Sequence, residues 1–176
     1  MELSKKIKGA IRDVNNFPKE GIVFKDITPI MLDPILSNEI VQALAAQYKH
    51  SNLNGIAGIE SRGFLIGYPL AMALGIPFIM IRKQGKLPYD KISFAYELEY
   101  GSAIIEMHSD AIASGDRILI HDDLLATGGS AAAAAELISK CHGVVAGFNF
   151  LVELSFLKGR TPLDAYASPI SSLVKY

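Results

Sequence analysis

Two adjacent carboxylates followed by a run of small residues carry the clearest chemical signal in the chain: Ile118-Leu119-Ile120-His121-Asp122-Asp123-Leu124-Leu125-Ala126-Thr127-Gly128-Gly129-Ser130. The apolar stretch reads as a buried strand that delivers Asp122 and Asp123 to its carboxyl end. The small-residue loop then opens a helix, whose first backbone N–H groups and dipole favour a bound anion. Thr127 and Ser130 add hydroxyl donors, and Gly128 and Gly129 are expected to let the main chain approach the ligand. Carboxylates cannot hold a phosphate, but as acceptors they suit sugar hydroxyls, so pair and loop together suit a ribose 5-phosphate. No Gly-Lys-Ser/Thr follows at P-loop spacing, and the dinucleotide fingerprint is absent.

The elements that must position these groups are legible around them. At 176 residues the chain is expected to form a single domain. Hydrophobic residues at 50% against 20% charged set disorder aside, because ample apolar surface is available to bury. A formal net charge of -1 offers no general attraction to nucleic acid or anionic lipid, so any anion must be held locally. The single cysteine, Cys141, excludes an intramolecular disulfide and fits a reducing cytoplasm; it is expected to be a small buried hydrophobe near a helix end. The first residues reach Lys5 and Lys6 with no apolar core, which predicts no secretory signal. The uncharged run from Phe64 to Ile81 has the length of a membrane span. Gly67, Pro69, Gly75 and Pro77 interrupt it, however, and predict a helix followed by the strand Phe78 to Ile81.

A helical stripe runs from Ile35 to Lys49 behind the start signal Asp33-Pro34. Strands are predicted at 56–59, 103–107, 118–121 and 144–152, with a helix from Ser130 to about Cys141 whose alanine run, 131–135, signals helix propensity and close packing. This alternation predicts an open α/β fold with a mostly parallel sheet and ligands at the carboxyl ends of its strands. The polar and aromatic stretch from Arg82 to Gly101 reads equally well as a lid or as a hairpin.

The Asp122–Ser130 segment resembles the phosphoribosyl diphosphate (PRPP) motif of the type I phosphoribosyltransferases. The segments 21–29, Glu60-Ser61-Arg62-Gly63-Phe64, 82–88 and Leu98-Glu99-Tyr100-Gly101 are similar, in order, to those of the adenine phosphoribosyltransferases, and the likeness covers nearly the whole chain. The resemblance implies the type I fold, a central mostly parallel sheet flanked by helices with a small N-terminal hood within 1–34, and a mobile catalytic loop at 83–100. It further implies purine salvage in the cytoplasm: adenine and PRPP give AMP and pyrophosphate with Mg²⁺ held mainly through PRPP, in a homodimer with no nucleic-acid or membrane partner. Ala126, Thr127, Gly128, Gly129 and Ser130 would hold the 5′-phosphate, and Asp122 and Asp123 the ribose hydroxyls. Ser61 and Arg62 would meet the pyrophosphate, with Arg62 also facing the base.

Val23 and Phe24 would read and stack adenine; from the residues alone they are an ordinary strand pair. Lys83 and Lys86 would neutralise pyrophosphate, joined by Arg82 reaching from a neighbouring subunit; as a bare cluster they read as a solvated loop. Glu97 and Glu99 share one strand face, so spacing leaves both open; the resemblance implies Glu99 as the residue that assists proton transfer. Ser130 stands where the family more often has Thr, and His121 where it usually has an aliphatic residue. His121 is expected to be a strand residue, although an imidazole beside two carboxylates could titrate near neutrality. The residues leave a different purine base, or a non-catalytic PRPP or nucleotide sensor, as alternatives.

Overall fold

The protein, represented by a computed structural model, is described for residues 2–97, 102–166 and 168–176. Helix α1 (Leu3–Ala10) leads into an antiparallel hairpin of β1 (Arg12–Asn15) and β2 (Val23–Asp26), which stands apart from the main sheet as a small hood. A short helix, α2 (Thr28–Met31), precedes α3 (Pro34–Tyr48). Asp33 starts α3 as expected: its carboxylate accepts from the N–H groups of Ile35 and Leu36, both at 3.0 Å, and Pro34 fixes the first φ. Strand β3 (Gly55–Ile59) is followed by α4 (Gly63–Leu74) and β4 (Phe78–Lys83). The uncharged run therefore divides as its Gly and Pro residues indicate. Gly75 ends α4 in the left-handed region, φ 67°, and its N–H turns back to the carbonyls of Ala71 and Met72. No helix among the described residues is long and apolar enough to cross a membrane.

Strands β5 (Lys91–Glu97) and β6 (Ser102–His108) come next, then β7 (Arg117–Leu125), α5 (Gly129–Lys140), β8 (Val144–Glu153) and β9 (Ile170–Lys175). The seven strands lie in the order β5-β6-β4-β3-β7-β8-β9. From β4 to β9 they are parallel, while β6 runs antiparallel to both β4 and β5. Central β3 is buried throughout, as a strand covered on both faces must be. Ile118 and Ile120 of β7 enter one core with the alanines, Leu137 and Ile138 of α5; Leu119 enters the other with α1, α3 and α4. The two faces are thus covered from opposite sides, as in an open α/β sheet.

The described part of the Arg82–Gly101 stretch takes the hairpin alternative: Lys91 to Glu97 pair residue for residue with His108 to Ser102. The alternating burial of β5, with Ile92, Phe94 and Tyr96 turned inward against α5, supplies the apolar face that a loop would lack. Strand β7 also runs further than expected, through both carboxylates to Leu125.

Candidate active site

Parallel strands bring the loops after β3, β4 and β7 to one edge of the sheet. Asp122 and Asp123 stand together on β7, and the Asp122 carboxylate accepts the N–H of Asp123 at 2.8 Å. Burial, and then the neighbouring Asp123 charge, push the Asp122 pKa well above the usual carboxylate range. Burial raises that of Asp123 too, opposed by the positive charge of Arg62. The Arg62 Nε atom lies 3.1 Å from Asp123 Oδ2 as an ion pair, although off the line of the N–H bond. Two crowded carboxylates with one counter-charge are strong acceptors, and sugar hydroxyls would satisfy them without adding negative charge.

Gly128, φ 85°, caps α5. The first-turn amides of α5 have no intrahelical carbonyl to bond and are directed out of the helix end. They face a recess of about 70 Å³ lined by Asp122, Thr127, Gly129, Ser130 and Phe150 among others. Ser130 lies inside the helix, where its hydroxyl is 3.1 Å from Tyr96 OH of β5. The bare Cα of Gly128 is also needed on the protein side, because a Cβ there would come within 2.2 Å of the Gly159 carbonyl oxygen. At Gly129 a Cβ would meet only ordinary contacts, the nearest Tyr96 at 3.7 Å.

Ser61 and Arg62 form the turn between β3 and α4, entered through a cis Glu60–Ser61 peptide. Gly63 follows, packed so closely on β7 that a Cβ would lie 2.9 Å from the His121 carbonyl and 3.0 Å from Asp122 Oδ1. Arg62 thereby reaches the hood: its guanidinium carbon sits 5.0 Å from the centre of the Phe24 ring. Phe24 is supported edge-on by Phe17 at 5.2 Å, and Val23 beside it is 45% exposed, so this pair is not a buried core strand.

Lys83, the last residue of β4, and Lys86, in the turn that follows, are both exposed. That turn is held by two carboxylates. Glu60 accepts the Lys83 N–H at 2.9 Å and pairs with Arg82 at 3.1 Å, while buried Glu106 accepts the Gly85 N–H at 3.0 Å. Burial would raise the Glu60 pKa, but these donors outweigh it and hold it below the usual range. Arg82 also donates to the Lys86 carbonyl of its own turn at 2.9 Å. Glu99 lies outside the described residues, as do Leu98, Tyr100 and Gly101.

His121 is fully buried. Its Nδ1 is 2.7 Å from Asn149 Oδ1, and burial pushes its pKa down to about 4, so titration near neutrality is overturned. Because Asn149 Nδ2 donates to Ser171 Oγ, the Asn149 oxygen faces the ring and Nδ1 carries the imidazole proton. Cys141 is only partly buried at the end of α5. Sequence reasoning missed Glu60 and Glu106 as supports of the lysine turn, Phe17 behind Phe24, and Gly159 behind Gly128. Glu60 stood beside a recognised segment; the others carry no local signal.

The comparisons agree with this geometry. Residues 33–169 match the phosphoribosyl transferase domain. A protein of Cytophaga hutchinsonii named adenine phosphoribosyltransferase is 49% identical over 99% of this chain and 96% of its own length; one of Halothermothrix orenii is 53% identical over 91% and 94%. The adenine phosphoribosyltransferase structure from Thermoanaerobacter pseudethanolicus superposes with a TM-score of 0.95 at 46% identity, covering 99% of this chain and 100% of that one. The Saccharomyces cerevisiae enzyme, solved with an imino-altritol bisphosphate and adenine, gives 0.93 at 41% identity over 98% of each chain. With paired carboxylates, an anion-directed helix start and a stacked arginine on one sheet edge, and relatives of this similarity along its whole length, the chain belongs to the adenine phosphoribosyltransferase family.

Proposed function

We propose that the protein transfers the 5-phosphoribosyl group from PRPP to adenine, giving AMP and pyrophosphate in purine salvage. The observation that carries this is Arg62, which stands between Asp123 and the Phe24 ring and so joins the sugar carboxylates to an aromatic platform for the base. A planar purine inserted against Phe24 would gain stacking, and the guanidinium would remain at its edge as a donor. The α5 start, with Ala126, Thr127, Gly128, Gly129 and Ser130, would fix the 5′-phosphate; Asp122 and Asp123 would fix the ribose. Holding both ends places the anomeric carbon between base and leaving group.

In the reaction a base nitrogen donates its electron pair to that carbon as the bond to pyrophosphate breaks, through an oxocarbenium-like transition state. The nitrogen's proton passes to a base, a role assigned to Glu99. Ser61, Arg62, Lys83 and Lys86 would stabilise the charge that develops on pyrophosphate, with Arg82 steadying the lysine turn. Among the described residues no group of three or more His, Cys, Asp or Glu side chains is placed to hold a metal. Mg²⁺ would be carried on substrate oxygens, where it would neutralise the leaving group.

The fully apolar, exposed side chains of Leu65 and Met72 on α4, with Tyr68, support a homodimer through that face, and the single cysteine supports a reducing, cytoplasmic setting. The decisive assay follows the absorbance change with adenine or hypoxanthine in the presence of PRPP and Mg²⁺. Turnover of adenine is expected, with strong loss in Asp122→Asn and Glu99→Gln. Preference for hypoxanthine would overturn the assignment of the base, and tight PRPP binding without turnover of any base would overturn catalysis.

A further inference from the structure

The segment between β8 and β9 forms two short 3-10 turns, Ser155–Leu157 and Thr161–Tyr166, joined through Lys158, Gly159 and Arg160. It packs directly behind the anion loop. A Cβ on Gly159 would lie 2.2 Å from the Ala126 carbonyl oxygen, and a Cβ on Gly128 would lie 2.2 Å from the Gly159 oxygen and 2.7 Å from Pro162. The two main chains are therefore in reciprocal contact with no side chain between them, and the position of one dictates the position of the other.

Arg160, the next residue, is gripped from below. Its Nε and Nη2 donate to the two oxygens of Glu153 at 2.8 and 2.7 Å, and Nη1 donates to the Ile170 carbonyl at 3.2 Å. Glu153 is buried at the end of β8, in register with Leu125 at the end of β7, and it also accepts from Ser172 at 2.6 Å. A planar two-point pair of this kind fixes orientation as well as distance. The Arg160 carbonyl in turn starts the second turn by accepting the Leu163 N–H at 2.8 Å, and Leu163 is fully buried against α5 and the sheet.

We infer that Arg160 is a positioning residue for the phosphate site: through Glu153 it fixes the Gly159 main chain, which sets the shape of Ala126 to Gly128. The inference rests on the proposed reading of that loop as the 5′-phosphate site. Arg160 touches no substrate. It acts by holding the loop in its anion-receiving conformation before the ligand arrives, so its loss falls on ligands that carry the phosphate and spares those that do not.

The test measures ribose 5-phosphate and adenine binding by calorimetry, and PRPP kinetics, in the full-length protein and in Arg160→Gln, Arg160→Lys, Gly159→Ala and Thr127→Ala, each checked for folding by circular dichroism. Arg160→Gln and Gly159→Ala are expected to weaken ribose 5-phosphate and to raise KM for PRPP about tenfold, with kcat at saturating PRPP and adenine affinity little changed. Arg160→Lys keeps the charge without the two-point geometry and is expected to fall between; it carries the test if Arg160→Gln does not fold. Parent-like ribose 5-phosphate binding in folded Arg160 variants, or equal loss for both ligands, would overturn the positioning role. If Thr127→Ala still weakens ribose 5-phosphate, only that role fails; if it has no effect either, the reading of the loop fails.

Discussion

Gly63 couples the pyrophosphate turn to the ribose carboxylates, and replacing it with alanine exposes that coupling. Its φ is not in the left-handed region, so Ala adds no backbone strain; the cost is purely steric. The new Cβ would lie 2.9 Å from the His121 carbonyl, 3.0 Å from Asp122 Oδ1 and 3.2 Å from Asp122 Cα. Two of these atoms are backbone in the middle of a sheet and cannot yield. Restoring an ordinary contact of 3.4 Å requires α4 to move off β7 by about 0.5 Å. Overpacking of this kind costs about 1–3 kcal/mol, equivalent to about 2–12 °C in Tm for a chain of this size. Because a 1 Å misplacement can cost about 100-fold, half of it should lower kcat/KM about tenfold.

Gly9 supplies the control. It lies in α1 with nothing within 4 Å of an added Cβ, so Gly9→Ala is expected to stabilise the protein by about 0.5–1 kcal/mol and leave activity unchanged. Both variants would be followed by thermal denaturation and by steady-state rates with adenine, PRPP and Mg²⁺. A Gly63→Ala protein that melts at or above the parent temperature and keeps kcat/KM within about twofold would mean that this contact does not set the site geometry.

Three further outcomes are expected. Arg62→Lys keeps the charge but loses the flat surface over Phe24, so kcat/KM should fall about 10- to 100-fold, with a raised KM for adenine in steady-state assays. His121 stays neutral in the folded chain down to about pH 4 but takes up a proton near pH 6.5 when unfolded, so it favours unfolding increasingly as pH falls between those values. Across that window it should remove about 3 kcal/mol, and His121→Leu should flatten this part of the stability–pH curve in urea titrations; an unchanged slope would refute it. Asp33→Ala removes both N-terminal hydrogen bonds of α3 and should cost about 1 kcal/mol by chemical denaturation, with rates unaffected.

Local signals explain what was legible in the sequence. The start of α3 rests on Asp33-Pro34, the division of the uncharged run on Gly75 and Pro77, and the anion loop on a contiguous strand-loop-helix segment. Each is written within a few residues of where it acts. Contacts between distant segments were not legible. Glu106 supports Gly85 from 21 residues away, and Glu60 supports Arg82 from 22, so their carboxylates look like ordinary surface charges until the sheet brings them together. His121 was misjudged for a related reason: two carboxylates follow it in sequence, but its side chain meets Asn149, 28 residues on, in a buried place. The close approach of Gly159 to Gly128 is likewise written nowhere in the local sequence.

The last strand shows how a weak local pattern can still have one answer. β9 carries two consecutive serines, Ser171 and Ser172, and little apolar alternation to tell one face from the other. Each serine meets a different buried reader. Ser171 Oγ accepts from Asn149 and lies 2.6 Å from Tyr48 OH, whereas Ser172 Oγ donates to Glu153. A slip of one residue would bring either Leu173 to Glu153 or Ile170 to Asn149 and Tyr48, so in each direction a buried polar group would lose its hydroxyl. The alignment of this strand is thus proofread by polar groups, and an apolar replacement of both serines should let it drift while its composition becomes more strand-like.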